Sequence, residues 1–135
     1  MLFRSSIDVV VDVEPVDLHV MAEEAAIGSV IINLVRNAID AMQDAPTRHM
    51  FIQARSENGM ARMRVIDTGP GIRADILPRL FEPFVTSKPA GAGLGLGLVI
   101  SAQVVRASGG KLRAINRPEG GACFTVELPT AAAQE

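Results

Sequence analysis

The chain is poor in the residues that build disulfides and metal clusters, and it has no excess of positive charge. Its one cysteine, Cys123, excludes an internal disulfide and any multi-cysteine metal cluster. Its two histidines, His19 and His49, lie far apart and have no metal-ligand spacing. The formal net charge is -2, so the chain lacks the basic character typical of nucleic-acid binders. We therefore expect no nucleic-acid partner.

Long apolar runs are also missing. The chain has no uninterrupted stretch of membrane-spanning length and no signal-peptide pattern at its start, so we expect a cytoplasmic domain. This leaves open an inner-membrane anchor elsewhere in a full-length protein. Hydrophobic residues make up 48% of the 135 residues, enough for the core of one domain. We expect a single domain over 1–135 with its core at about 7–129.

Hydrophobic periodicity predicts strands interleaved with helices. Strands are predicted at 7–13, 18–21, 49–55, 60–66, 111–116 and 122–128, the second pairing with the first. Long helices are predicted at 24–44 and about 95–107, and a short one within 73–80. Glu57-Asn58-Gly59 predicts a hairpin turn between two of the strands, and Ser108-Gly109-Gly110 predicts the C-terminal cap of the second long helix. The pattern predicts an α+β fold: a two-layer α/β sandwich with a mixed, mostly antiparallel sheet packed on about three helices.

The first predicted helix has an unusual polar side. Asn33, Asn37, Asp40 and Asp44 recur every three or four residues and so lie in one row. Asparagine is a poor helix former, so helix propensity does not explain the pair. The amide oxygens of Asn33 and Asn37 can complete the shell of a phosphate-bound Mg²⁺, which takes few protein ligands. The alternative is a pair of satisfied polar residues at a helix–loop contact.

Two glycine clusters follow. Asp67-x-Gly69-x-Gly71 places a carboxylate at a strand end before a flexible turn, which suits recognition of a purine amine or is an ordinary turn. The cluster at Gly91–Leu98 lacks both the Walker lysine and the dinucleotide fingerprint. It leads into an apolar helix, whose N-terminal N–H groups suit an anion. The alternative for this cluster is a flexible linker.

The order of these motifs resembles the sensor histidine kinase catalytic and ATP-binding domain, a member of the Bergerat-fold ATPase/kinase superfamily. Asn33–Ala38 resembles the asparagine box, and Asp67–Gly71 resembles the first glycine box. Phe81–Phe84 resembles the phenylalanine box, and Gly91–Leu96 resembles the second glycine box. The resemblance extends over almost the whole chain.

The resemblance implies a site for ATP and Mg²⁺. Asn37 would coordinate the metal and Asn33 would support the phosphates and metal, so these two are the catalytic candidates. Asp67 would accept a hydrogen bond from the adenine amine, and Phe81 to Gly93 would form a lid ordered mainly by nucleotide. The residues implied to bind nucleotide are Asn33, Arg36, Asn37, Asp40, Asp67, Gly69, Gly71, Ile72, Phe84, Thr86, Ser87, Lys88, Gly91, Gly93, Leu94, Gly95 and Leu96.

The resemblance also implies the reaction. Hydrolytic members of the superfamily carry a water-activating Glu four residues before the metal-binding Asn, whereas Asn33 occupies that position here and cannot take a proton. We therefore expect a histidine protein kinase that transfers the γ-phosphoryl group to a histidine. Neither His19 nor His49 has the sequence context of a phosphoacceptor. The enzyme would be incomplete without an upstream dimerising helical hairpin that carries the acceptor. Its other expected partner is a response regulator, reached through a homodimeric full-length protein.

Two other functions stay open. An anti-sigma-type protein-serine kinase has the same fold but normally keeps a Glu at the position of Asn33. A non-catalytic nucleotide-binding regulatory module is the third candidate. Within the histidine kinases, Thr86–Lys88 and Arg117–Ala122 resemble a nitrogen-regulation and C4-dicarboxylate sensor subgroup. Gly97 stands where this family commonly has Ala or Ser, which is expected to weaken the next helix by up to about 1 kcal/mol.

Overall fold

The computed structural model describes residues 6–15, 18–20, 22–83, 85 and 97–130. Within these ranges a five-stranded sheet carries two α-helices on one face. The strands are β1 (Asp8–Glu14), β2 (His49–Glu57), β3 (Met60–Asp67), β4 (Lys111–Asn116) and β5 (Ala122–Pro129), and the helices are α1 (Glu24–Ala41) and α2 (Gly97–Ala107). The predicted mixed sheet packed on helices is confirmed.

The strands lie in the order β1-β2-β3-β5-β4. Only β1 and β2 run parallel, and the other neighbouring pairs are antiparallel. The predicted hairpin between β2 and β3 is confirmed, because Asn58 and Gly59 both have the positive φ that a two-residue turn of this type requires. In this strand order β3 and β5 are interior strands, and they lie beneath the helices.

The expected strand at 18–21 is wrong. Val20 forms an isolated bridge with Thr130, and Leu18 and His19 are not in a strand; Met21 lies outside the described residues. The partner of β1 is β2, with Asp8 opposite His49. Proximity in sequence favoured a hairpin between the strands predicted at 7–13 and 18–21. The observed parallel pair instead joins β1 to β2, and α1 provides the long crossover that such a pair needs.

The expected short helix within 73–80 is also shorter than predicted. It is reduced to one 3₁₀ turn at Leu77–Arg79, so the count of about three α-helices is not reached in the described chain. Pro78 explains the difference, because proline has no N–H to donate and disfavours helical geometry at the residue before it.

The C-terminal end of α2 was predicted correctly from the sequence, whereas that of α1 was placed too late. α1 ends at Ala41 rather than near residue 44, and the Arg48 side chain donates to the carbonyls of Gln43 and Ala45 just beyond it. The predicted glycine cap of α2 is confirmed. Gly109 has φ 85°, and the N–H of Gly110 bonds to the carbonyl of Val105 at 3.0 Å.

The core lies between the helices and the sheet. Val30 and Leu34 of α1, Val105 of α2 and Val65 of β3 are at most 1% exposed. The opposite face of the sheet carries an ion-pair cluster in which Glu127 contacts both Arg62 and Arg113. The Arg113 hydrogen bond is the main cause that lowers the pKa of Glu127, against the effect of burial. No helix in the described ranges is long and apolar enough to cross a membrane.

Candidate nucleotide site

The helix α1 brings the predicted polar residues to one side of the core. Val30, Leu34 and Ala38 are buried, whereas Asn33 and Asn37 are partly exposed. The different burial follows from the helical repeat, which turns the asparagines away from the buried stripe. Both amides therefore stay within reach of a ligand. Arg36 and Asp40 of the predicted set lie on the exposed part of the same helix.

Asn33 is held by α2. Its Nδ2 donates to Oγ of Ser101 at 3.0 Å, and Ser101 is only 4% exposed. This bond fixes the amide so that Oδ1 faces Gly97, the first residue of α2, where an added Cβ would lie 2.9 Å from Oδ1. Gly97 is thus explained by the close approach of the two helices. The start of α2 therefore lies next to Asn33.

Asp67 ends β3 and is 2% exposed. Its Oδ1 accepts the N–H of Gly69 at 2.9 Å and the N–H of Ala122 at 3.3 Å. Burial raises the pKa of this carboxyl, while the two N–H groups and the nearby Arg117 act in the opposite direction. The result is a carboxyl group fixed in direction, with Oδ2 left outside these bonds.

The turn after Asp67 packs on the end of α1. A Cβ on Gly69 would lie 2.7 Å from the carbonyl oxygen of Ala41, so only glycine allows this approach. Between the turn and the helix is a cleft of about 350 Å³, lined by Asp40, Ala41, Asp44, Ala45, Pro46, Thr68, Gly69 and Pro70. A larger cleft of about 490 Å³ near Asp8 and His49 contains none of the predicted site residues.

The remaining predicted residues divide into two groups. Gly71 and Ile72 continue the turn, and Ile72 and Phe81 pack against the hydrophobic core. Most of the expected lid lies outside the described ranges. The predicted site residues that also lie outside them are Phe84, Thr86, Ser87, Lys88, Gly91, Gly93, Leu94, Gly95 and Leu96. The structure thus places the start of α2 beside Asn33 and the turn after Asp67 against the end of α1. The described ranges include more of the predicted base end than of the predicted phosphate end.

The donor chemistry fits a magnesium ion shared with phosphates. The side-chain amide of Asn37 makes no hydrogen bond to another described residue, which leaves its oxygen able to take a ligand. Those residues also contain no cluster of three or more His, Cys, Asp or Glu side chains placed to hold a metal alone. Mg²⁺ commonly keeps several waters and takes substrate phosphates with one or two protein oxygens, so a sparse protein shell suits it.

Sequence reasoning did not identify the residues that support this site. Ser101 was placed only in an apolar helix, and Asn116 only at the end of a strand. Their hydrogen bonds are with residues 68 and 44 positions away, and no local pattern marks such contacts. The turn around Arg117–Ala122 was noted, but its contact with Asp67 was not predicted.

Comparison with known proteins places this architecture in a class. The chain matches the family described as histidine kinase-, DNA gyrase B- and HSP90-like ATPases over residues 22–132. The catalytic domain of the histidine kinase ThkA has 34% identity and a TM-score of 0.79, covering 91% of this chain and 80% of that one. The full-length ShkA in complex with AMPPNP has 29% identity and a TM-score of 0.77, covering 93% of this chain and 26% of that one.

Curated relatives refine the class. The sensor protein FixL of Bradyrhizobium diazoefficiens is 37% identical over 83% of this chain and 22% of its own length. The C4-dicarboxylate transport sensor protein DctB of Pseudomonas aeruginosa is 36% identical over 91% of this chain and 20% of its own length. The chain thus spans about a fifth of the length of these relatives. It belongs to the histidine kinase-, gyrase B- and HSP90-like ATPase family, and within it to the catalytic domains of sensor histidine kinases.

Proposed function

We propose that this chain binds ATP with Mg²⁺ and transfers the γ-phosphoryl group to a histidine on another domain of a two-component sensor kinase. The observation that carries the proposal is the meeting of three separate motifs around α1. Asp67 and its turn lie at one end of the helix, and the start of α2 lies beside Asn33. A buried carboxylate and a helix N-terminus are the groups expected for a purine amine and for phosphates, respectively.

The chain's own residues would bind and orient rather than activate water. Asp67 would accept the adenine amine, while Asn33 and Asn37 would orient the phosphates and Asn37 would ligate Mg²⁺. The metal supplies charge neutralisation when bound. Asn33 is an amide and cannot remove a proton, so the site favours transfer to a separate nucleophile over hydrolysis. Phosphoryl transfer needs mainly positioning and electrostatic stabilisation from the protein.

The acceptor would belong to another domain of a longer protein, and the response regulator would be a separate partner of that protein. We place the acceptor histidine on a dimerising helical hairpin and the phosphoryl group finally on a response regulator. A homodimeric full-length kinase would bring these parts together. The two DctB relatives, from Pseudomonas aeruginosa and Rhizobium meliloti, support the C4-dicarboxylate sensor subgroup.

Calorimetry with a non-hydrolysable ATP analogue and Mg²⁺ tests the nucleotide site. Wild type should bind, and Asp67→Asn should bind at least about tenfold more weakly. In one orientation the new side chain would turn its NH₂ group towards the adenine amine, and in the other it would offer a single neutral acceptor in place of the carboxylate. Thr125→Ala, on the opposite face of the sheet, is the matched control and should bind as wild type does. Absence of heat with wild type would show a non-catalytic, degenerate domain instead.

A further inference from the structure

The turn at Asp67–Ile72 is attached at both ends to the hairpin that joins β4 and β5. At its start, Asp67 accepts the N–H of Ala122 on Oδ1, and its backbone carbonyl accepts Nη1 of Arg117 at 3.2 Å. At its end, Ile72 contacts Asn116, the last residue of β4. The turn between these two points carries the glycines that the base is expected to contact.

Asn116 forms hydrogen bonds to the backbone of one residue, Ile72, with both polar atoms of its side-chain amide. Its Oδ1 accepts the N–H of Ile72 at 2.7 Å, and its Nδ2 donates to the carbonyl of Ile72 at 2.8 Å. A side-chain amide that makes both bonds to a single residue acts like a neighbouring β-strand. The two bonds hold the peptide units on either side of Ile72, and so they restrict the backbone rotation at this residue as well as its position, which a single bond would not do.

The close packing shows that this arrangement is specific. A Cβ on Gly71 would lie 2.8 Å from Oδ1 of Asn116, so the turn lies directly against the amide. Asn116 is itself exposed, at the end of an edge strand, and contributes nothing to the hydrophobic core. Its two bonds are therefore its main structural contribution, and they act on the segment that bears the site.

We propose that Asn116 is a positioning residue for the nucleobase, holding Ile72 and the glycine turn so that Asp67 and the turn can select adenine. This inference rests on the proposed nucleotide function. In the orientation proposed for adenine, a guanine base would present its O6 carbonyl oxygen to the Asp67 carboxylate in place of an amine, so this contact would not favour guanine. Loss of the Asn116 bonds should therefore reduce the preference for adenine rather than all nucleotide binding.

The test compares four forms of the 135-residue chain with non-hydrolysable ATP and GTP analogues in the presence of Mg²⁺. Asn116→Ala removes both bonds, and Asn116→Asp keeps the shape but replaces the donor to the Ile72 carbonyl by an oxygen. Lys111→Ala, exposed on the same strand, is the matched control for wild type. Affinity for the ATP analogue should fall about tenfold in both Asn116 variants, and affinity for the GTP analogue should change less than about twofold.

Amide hydrogen exchange supplies the structural measurement. The Ile72 N–H should exchange faster in Asn116→Ala, while the core amides and the unfolding midpoint stay close to those of Lys111→Ala. Unchanged ATP affinity, or an equal fall for both analogues, overturns the assignment, since the second result shows general loosening only. A variant without a cooperative unfolding transition also overturns it and marks Asn116 as a folding residue. A wild type that binds neither analogue overturns the proposed function, and this inference with it.

Discussion

At the scale of single residues, the protonation of Asp67 links the site to pH. Burial raises the pKa of this carboxyl above the ordinary value of about 3.9. The folded state therefore holds its proton more tightly than the unfolded chain does. Between the ordinary pKa and the raised one, the contribution of Asp67 to the free energy of unfolding must fall as pH rises.

If Asp67 has the proposed role, the same proton has the opposite effect on nucleotide binding. The proposed acceptor for the adenine amine is the ionised carboxylate, so affinity for an ATP analogue is expected to increase with pH through the raised pKa. Titrations between pH 4 and 8, with urea unfolding at each pH, should show affinity rising while the stability difference between wild type and Asp67→Asn falls. Asp67→Asn itself has no carboxyl at this position and should lack the binding step. A wild-type binding profile with the same shape as that of the variant would contradict the assignment.

At the scale of elements, the β4–β5 hairpin supports the site through its backbone shape. Gly120 and Gly121 are adjacent, and both have positive φ, at 107° and 87°. A Cβ on Gly121 would lie 1.9 Å from the carbonyl oxygen of Asp67, whereas a Cβ on Gly120 would meet nothing within 4 Å. The two positions therefore have similar backbone strain but very different surroundings.

This pair makes a controlled comparison. Gly120→Ala should lower the free energy of unfolding by about 1–2 kcal/mol through backbone strain alone. Gly121→Ala should lower it by about 3 kcal/mol or more, because the added methyl group also pushes the hairpin away from β3. Urea unfolding of both variants measures the difference. Equal effects would mean that the hairpin does not pack on Asp67 as described.

The elements themselves were predictable where their causes are local. The Asn58-Gly59 hairpin and the Gly109 helix end follow from the backbone preferences of one or two residues, and both are confirmed. The parallel pairing of β1 with β2 and the bridge from Val20 to Thr130 join distant segments, and the sequence contains no local sign of either. Pro78 was a local signal that should have shortened the predicted helix at 73–80.

The site was predicted unevenly for the same reason. Motif spacing and family resemblance identified Asn33 and Asp67 because the residues of each motif are close in sequence. Ser101, Asn116 and Gly121 support those residues from distant positions, and only the folded chain shows them beside the site. On the predicted phosphate side, the described ranges include Asn33 and Gly97. The second glycine cluster up to Leu96 lies outside those ranges, so its role stays a prediction.

At the scale of the whole molecule, the proposed function predicts that the chain needs a phosphoacceptor from another domain. His49 is paired with Asp8 across β1 and β2, and His19 is exposed just beyond a turn, so neither is presented on a helix as an acceptor. Incubation with γ-labelled ATP should leave the chain without acid-labile label. Adding a helical hairpin that carries the acceptor histidine of a relative should produce such label on the hairpin alone. Robust acid-labile label on the chain alone would contradict this division, and acid-stable label would indicate a serine kinase.

The order of the strands also determines when the molecule can be completed during synthesis. β5, from Ala122 to Pro129, is the last strand of the described chain, yet it lies between β3 and β4. A nascent chain that has not yet released it from the ribosome has an unpaired edge on β3 and lacks the N–H of Ala122 that Asp67 requires. The Asp67 end of the candidate site can therefore form only after the other described strands have left the ribosome. Until then the edge of β3 is open to pairing with other chains.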